Sequence, residues 1–138
     1  MTIFYSKIQR SNPLNKVNKK WYVTLKRVKM VREKDVAKQI ADETTLNPKE
    51  AEMALFLLKK ILIRELMNGN SVQLGDWGSF YLTCKSDGKD TKEEVNAMSI
   101  QKINFRFIPG IELREALQKA SFMDINSLTS EKEVLSIE

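Results

Sequence analysis

Gly69-Asn70-Ser71-Val72-Gln73-Leu74-Gly75-Asp76-Trp77-Gly78-Ser79-Phe80-Tyr81-Leu82 decides how the rest of this chain is arranged. Two short alternating runs flank Gly75-Asp76-Trp77-Gly78, where two glycines permit backbone angles that other residues resist. The stretch predicts the end of a helix feeding a tight β-hairpin. Val72 and Leu74 point one way on the first strand and Phe80 and Leu82 do so on the second, with Trp77 expected as a plug at the corner.

Upstream, Asn47-Pro48-Lys49-Glu50 combines an N-cap, a proline at the first helical position and a glutamate three residues after the cap. It starts a helix predicted over about 48–67, ending at Asn68-Gly69. Ala51, Ala54, Leu55, Leu58, Ile61, Leu62 and Leu66 form one apolar stripe, and Met53, Phe56, Leu57, Ile63 and Met67 add a second. A helix apolar on two sides needs two partners. The hairpin and a preceding amphipathic helix over 32–44, with Val36, Ala37, Ile40 and Ala41 on one stripe, supply the first. The second is read as another copy of the protein across a two-fold interface, the alternative being one broader core that also takes the amino-terminal strands.

Downstream, residues 83–99 are polar and read as a protruding ribbon or a flexible loop. A return strand follows, with Ile100, Ile103, Phe105 and Phe107 alternating against Lys102, Asn104 and Arg106. Pro109-Gly110 breaks it, and a short helix over 111–120 is expected to close the core with Leu113 and Leu117. From Ser121 onward Ser, Thr and acids dominate at net −3, so residues 121–138 are expected to be a flexible tail.

The amino-terminal segment reads as a strand pair over 3–9 and 21–28, joined by a basic loop over 10–20. Trp21, Val23 and Leu25 share one strand face and are expected to be buried, as core rather than as stacking platforms. Residues 1–31 hold eight cations (Lys7, Arg10, Lys16, Lys19, Lys20, Lys26, Arg27, Lys29) and no acid, whereas the whole chain of 138 residues carries only +5. The remainder therefore carries −3. This asymmetry points to a polyanion-facing segment on a nearly neutral body, or more blandly to a basic solvated surface.

Composition removes several function classes. At 42% hydrophobic residues the chain suits one compact domain with appendages. It has no apolar run of membrane-spanning length and begins without a signal-peptide pattern, so a cytoplasmic location is expected. The absence of histidine removes imidazole catalysis and the usual zinc sites, and a single cysteine, Cys84, excludes an intrachain disulfide. Asp87 with Asp90, and Glu93 with Glu94, read as solvated charges, Cys84 as a strand residue, and Asp76 as turn chemistry. No enzyme activity, metal, cofactor, small-molecule substrate or membrane contact is expected.

The order helix, helix, hairpin, ribbon, strand, short helix resembles the bacterial histone-like DNA-bending proteins, HU and integration host factor. Three motifs carry the resemblance over about residues 32–120. Gly69 to Phe80 matches "G, x, x, V, x, L, x, x, aromatic, G, x, F", Phe107-Ile108-Pro109-Gly110-Ile111-Glu112-Leu113 matches "F, x, P, G, x, x, L", and Thr45-Leu46-Asn47-Pro48-Lys49-Glu50-Ala51 opens the second helix. The resemblance implies an α+β fold: two helices, a β-sheet saddle with a ribbon arm, and a short last helix, in an intertwined dimer, here a homodimer. Met53, Phe56, Leu57, Ile63, Met67, Phe80, Phe105 and Phe107 are the expected dimer interface. The domains are then 1–31, a basic β extension; 32–120, the histone-like domain; and 121–138, the acidic tail.

The resemblance also implies an architectural role on double-stranded DNA in the nucleoid. The chain departs from the family where the arm should be basic and carry a proline. Residues 84–102 contain no proline and no arginine, and Lys85, Lys89, Lys92 and Lys102 are balanced by Asp87, Asp90, Glu93 and Glu94. Met98 or Val95 remain as poor wedges. The second departure is the extension itself, whose charge compensates for the arm. Phosphate contacts are expected from Lys19, Lys20, Lys26, Arg27 and Lys29, assisted by Lys85, Lys89, Lys92, Lys102 and Arg106. The alternative function is a protein-interaction module that kept the histone-like fold and lost its DNA-binding arm.

Overall fold

The computed structural model describes residues 1–128. It divides into two compact units, residues 1–31 with 118 onward, and residues 32–117. Nine elements follow in order: β1 (Thr2–Asn12), β2 (Asn15–Lys26), α1 (Glu33–Glu43), α2 (Pro48–Met67), β3 (Val72–Gln73), β4 (Gly78–Ser86), β5 (Ile100–Pro109), α3 (Ile111–Gln118) and β6 (Ser121–Asp124). None of the described helices is long and apolar enough to cross a membrane.

In the larger unit, α2 begins as its sequence dictates. Asn47 Oδ1 accepts from the Glu50 amide at 2.9 Å, and Glu50 Oε2 accepts from the Asn47 amide at 3.0 Å, satisfying two donors that a helix start otherwise leaves orphaned. Its end is equally local: Gly69 sits at φ +83, where a side chain would be strained, and Asn70 donates back to the Glu65 carbonyl at 3.0 Å. Helix α1 packs on α2, and each contributes one fully buried alanine, Ala37 and Ala51.

The sheet of this unit has the order β3-β4-β5, all antiparallel, with Val72 opposite Phe80 and Phe80 opposite Phe107. A single-turn 3₁₀ segment, Gly75–Trp77, makes the corner of the expected hairpin. Pro109 ends β5, and Gly110 follows it because there is no room for anything larger: a Cβ there would lie 2.0 Å from the Asp76 carbonyl oxygen. The Gly110 amide donates to the Trp77 carbonyl at 2.8 Å, which ties the start of α3 to the corner.

Two expectations about this unit need correction. Trp77 is 43% exposed and does not plug a core; it leans on an aromatic cluster, with ring centroids 4.9 Å from Phe107 and 5.9 Å from Phe80. Leu117 is exposed and closes nothing, since α3 ends at Gln118, two residues short of the expected 120. Among the described residues only Ala37, Ala51 and Leu66 are buried apolar side chains. The large apolar side chains of this chain are for the most part left partly or largely uncovered.

The smaller unit is a sheet of order β2-β1-β6. Here the expected basic loop over 10–20 is strand instead. β1 and β2 pair from Phe4 opposite Lys26 to Ser11 opposite Lys19, so that only Pro13-Leu14 is left as the turn. Asn12 Oδ1 accepts from the Leu14 amide at 3.0 Å and Asn15 Oδ1 from the Val17 amide at 3.3 Å; these side-chain bonds allow so short a connection. Polar residues enter strands readily when both faces are solvated, which is why composition misreads them as loop.

Trp21, Val23 and Leu25, expected to be buried, are exposed at 68%, 63% and 58%. Three strands form a single layer, and one layer covers neither of its faces. The expected flexible tail also starts differently: Ser121–Asp124 is a strand, parallel to β1, with Ile3 opposite Phe122 and Tyr5 opposite Asp124. Ser121 Oγ donates to the Met1 carbonyl at 2.7 Å, and Lys7 lies 3.9 Å from Asp124. Asp124 accepts from the Asn126 amide at 3.0 Å at the start of a helical stretch over 125–128. The rest of the expected tail, 129–138, lies outside the described residues.

Candidate nucleic-acid interface

Residues directly opposite each other on antiparallel strands share a face. On β4 and β5 the pairs Phe80–Phe107, Leu82–Phe105 and Cys84–Ile103 form an apolar face, in which the Phe80 ring stacks on Phe105 at 5.6 Å and meets Phe107 at 4.9 Å. The other face carries Ser79–Ile108, Tyr81–Arg106, Thr83–Asn104 and Lys85–Lys102. Neither strand contains an acidic residue. The structure thus gathers Lys85, Lys102 and Arg106 on one face of one ladder, with Tyr81, Thr83 and Asn104 as neutral hydrogen-bonding groups between them.

Lys85 and Lys102 are in register with each other. Like charges directly opposite are destabilising by roughly the 0.2–1 kcal/mol that a good cross-strand pair contributes. A polyanion laid on this face removes that cost. Tyr81 is a site residue that the sequence reading missed; its signal is the alternation itself, since it shares a strand face with Lys85.

Lys89 and Lys92 do not join the group. They lie on residues 87–99, which connect β4 to β5 through 3₁₀ turns at Lys92–Glu94 and Ala97–Ser99 rather than by extending the strands. This tip is closed by its own bonds: the Asp87 amide donates to the Ser99 carbonyl at 2.9 Å, Gln101 Nε2 donates to the Asp87 carboxylate, and Asn96 caps the second turn through the Met98 amide at 2.9 Å. Ser99 is buried beneath it. Asp87, Asp90, Glu93 and Glu94 all belong to this tip, so its two lysines stand among twice as many carboxylates.

In the amino-terminal sheet, Lys20 and Lys26 share one face and Lys19 lies on the other, while Arg27 and Lys29 follow β2 in exposed irregular chain. Arg10 stands directly opposite Lys20. Together with Asn12, Pro13, Asn18 and Tyr22 these two cations line a concave surface of about 460 Å³ near the hairpin end. Arg10, Asn18 and Tyr22 were not singled out from the sequence. Locating the turn at Pro13-Leu14 would not have found them, because the ladder shifts register between Ser11 and Asn12, so that Arg10 faces Lys20 and not Val17. Neither β1 nor β2 contains an acidic residue.

The residues expected between copies are uncovered along α2. Met53, Phe56, Leu57, Ile63 and Met67 are exposed at between 47% and 72%, on the side of the helix opposite Ala51, Leu55, Leu62 and Leu66. Phe105 is exposed as well, and Phe80 and Phe107 are half-buried. Chemically, the arrangement offers fixed cations, neutral hydrogen-bond donors and an uncovered apolar helix face. Among the described residues no cluster of His, Cys, Asp and Glu is suited to a metal ion.

Comparisons with known proteins agree with this geometry. The family profile HU-HIG, described as an HU domain fused to wHTH, Ig or glycine-rich motifs, matches residues 1–124. A solved structure of a candidate bacterial DNA-binding protein from Bacteroides vulgatus superposes with a TM-score of 0.64 at 14% identity, over 90% of this chain and 48% of that one. This chain therefore spans about half the length of that relative. Anabaena HU in complex with DNA superposes with a TM-score of 0.51 at 18% identity, over 64% of this chain and 98% of that one. No curated protein matches the sequence.

Proposed function

We propose a function from one premise: the chain belongs to the HU-HIG family, HU domains fused to wHTH, Ig or glycine-rich motifs. On that premise the protein is an architectural DNA-binding protein of the nucleoid. It acts as a dimer on double-stranded DNA, tolerates sequence, and bends the duplex through contacts to the phosphate backbone. The observation that carries this reading is the acid-free face of β4 and β5, where Lys85 opposes Lys102 and Tyr81 opposes Arg106. The fold likeness to an HU bound to DNA supports it.

Backbone contact rather than base readout follows from the residue types and their support. Lysines and an arginine on a sheet neutralise phosphates and release condensed counterions, a sequence-independent source of affinity. No described helix presents a row of Arg, Asn or Gln suited to base edges in the major groove. Sequence tolerance is the consequence.

Dimerisation is supported by the uncovered apolar stripe of α2. Covering each large side chain of the outer α2 stripe contributes about 1.5–3 kcal/mol. In the reading proposed here, a second copy covers Met53, Phe56, Leu57, Ile63 and Met67 together with the Phe80, Phe105 and Phe107 face, and the β-sheets of the two copies form a saddle.

Electrophoretic retention of a random-sequence duplex at two salt concentrations tests the function. Retention that weakens steeply with salt is expected. The competing reading is a protein-interaction module on the same fold, favoured by the net-acidic tip at 87–99; it requires retention to be absent at near-physiological salt.

A further inference from the structure

The two faces of the amino-terminal sheet are unlike. One is apolar: it carries Trp21, Val23 and Leu25 of β2, Ile3 and Tyr5 of β1 and Phe122 of β6, beside the Lys7–Asp124 pair. The other is built from the opposed pairs Arg10–Lys20, Ile8–Tyr22, Ser6–Thr24 and Phe4–Lys26. Its cations are Arg10, Lys20 and Lys26. It holds no acid, because Asp124, the acid of this sheet's strands, belongs to the apolar face.

Arg10 and Lys20 are like charges set directly opposite by the strand register, an arrangement that is destabilising by itself and that an anion between them relieves. With Asn18 and Tyr22 they line the hollow of about 460 Å³. Tyr22 follows Lys20 on the same face, about 6.6 Å along the strand, and is 48% exposed. A duplex offers such a face its phosphates and sugars and keeps its bases stacked and paired, so it engages the cations and leaves the ring unused. A single strand engages both, since its phosphates meet cations while an unpaired base lies on an aromatic side chain.

We propose that this face of the amino-terminal sheet binds single-stranded nucleic acid, with one phosphate between Arg10 and Lys20 and the adjoining base stacked on Tyr22. Lys26 lies six residues beyond Lys20 on β2, about 20 Å away, and takes a later phosphate of the same strand. The site tolerates sequence, because every base presents a π-face to the ring. It goes beyond the duplex reading, which stands on the β4–β5 face, and either can fail without the other.

The test titrates the full chain with a labelled short oligothymidylate, a short oligouridylate and a random-sequence duplex, following anisotropy at two salt concentrations. Both single strands should bind in a salt-sensitive way, and the tighter of the two identifies the sugar that the site serves. Tyr22→Ala should weaken single-strand binding by roughly five- to a hundredfold and leave duplex binding within about twofold. Tyr22→Phe should bind the single strands like the wild type, which separates the loss of the ring from a loss of folding. Alanine at Lys85, Lys102 and Arg106 should have the opposite selectivity, weakening the duplex and sparing the single strands. Absence of single-strand binding, an unchanged affinity in Tyr22→Ala, or an equal loss on single strand and duplex overturns the site. Loss of duplex binding alone, with the Tyr22 effects intact, overturns only the duplex reading.

Discussion

The chain contains two antiparallel ribbons, and they differ in what they carry at their ends. The β4–β5 ribbon is basic on one face along its length, but it closes over residues 87–99 in a folded, net-acidic tip that includes all four of its carboxylates and only two of its lysines. The β1–β2 ribbon has cations and no acid throughout, turns in two residues, and exposes Pro13, Leu14 and Val17 at its end. Having a ribbon and having a usable tip are thus separable properties. The strand ladder supplies reach; the connecting residues decide whether that reach ends in a closed knot or an open apolar point.

The largest expected effect comes from a change at the proposed dimer interface. Phe56→Asp places a carboxylate on the outer stripe of α2, where burial of an unpaired charge costs several kcal/mol. Sedimentation should show the dimer converted to monomer, and DNA retention should disappear with it, while circular dichroism reports whether the helices remain. A variant that stays dimeric removes α2 from the interface. Next in size is the amino-terminal segment: replacing Lys19, Lys20, Lys26, Arg27 and Lys29 with alanine should lower the salt slope of DNA binding by about 0.9 for each phosphate that is no longer neutralised. An unchanged slope shows that this sheet does not touch DNA.

Smaller effects sharpen the contrast within the larger unit. Alanine at Lys85, Lys102 and Arg106 should reduce the slope by at most about 2.7 per chain by the same relation. Alanine at Lys89 and Lys92, which stand among Asp87, Asp90, Glu93 and Glu94, should change it by less than about 0.5. If the tip pair matters more than the ladder trio, the closed tip is in fact the part that meets DNA.

Much of the larger unit was legible because its signals are local. The Asn47-Pro48-Lys49-Glu50 cap, the Asn68-Gly69 stop, the Gly75-Asp76-Trp77-Gly78 corner and the Pro109-Gly110 break each act within a few residues, and each occurs where the spacing predicted. Of the candidate site, Lys102 and Arg106 were legible from strand alternation, whereas Lys85 stood in a segment read as ribbon or loop, and its opposition to Lys102 depends on a register set from the far end of the ladder. Arg10 and Asn18 were missed because a polar run around Pro13 reads as loop until its backbone hydrogen bonds are assigned to a partner strand.

By itself the sequence determined the helices, their caps, the corner turns, the asymmetric charge and the surplus of apolar residues on α2, since all of these follow from neighbours three or four positions away or from simple counting. Only the tertiary structure decided which residues oppose one another, that Ser121–Asp124 joins β1 as a parallel strand more than a hundred residues distant, and that Trp21, Val23 and Leu25 stay uncovered. The physical reason is common to these cases. Strand pairing and burial are satisfied by atoms far away along the chain, and neither a backbone amide nor an apolar face carries a local mark of the partner that will meet it.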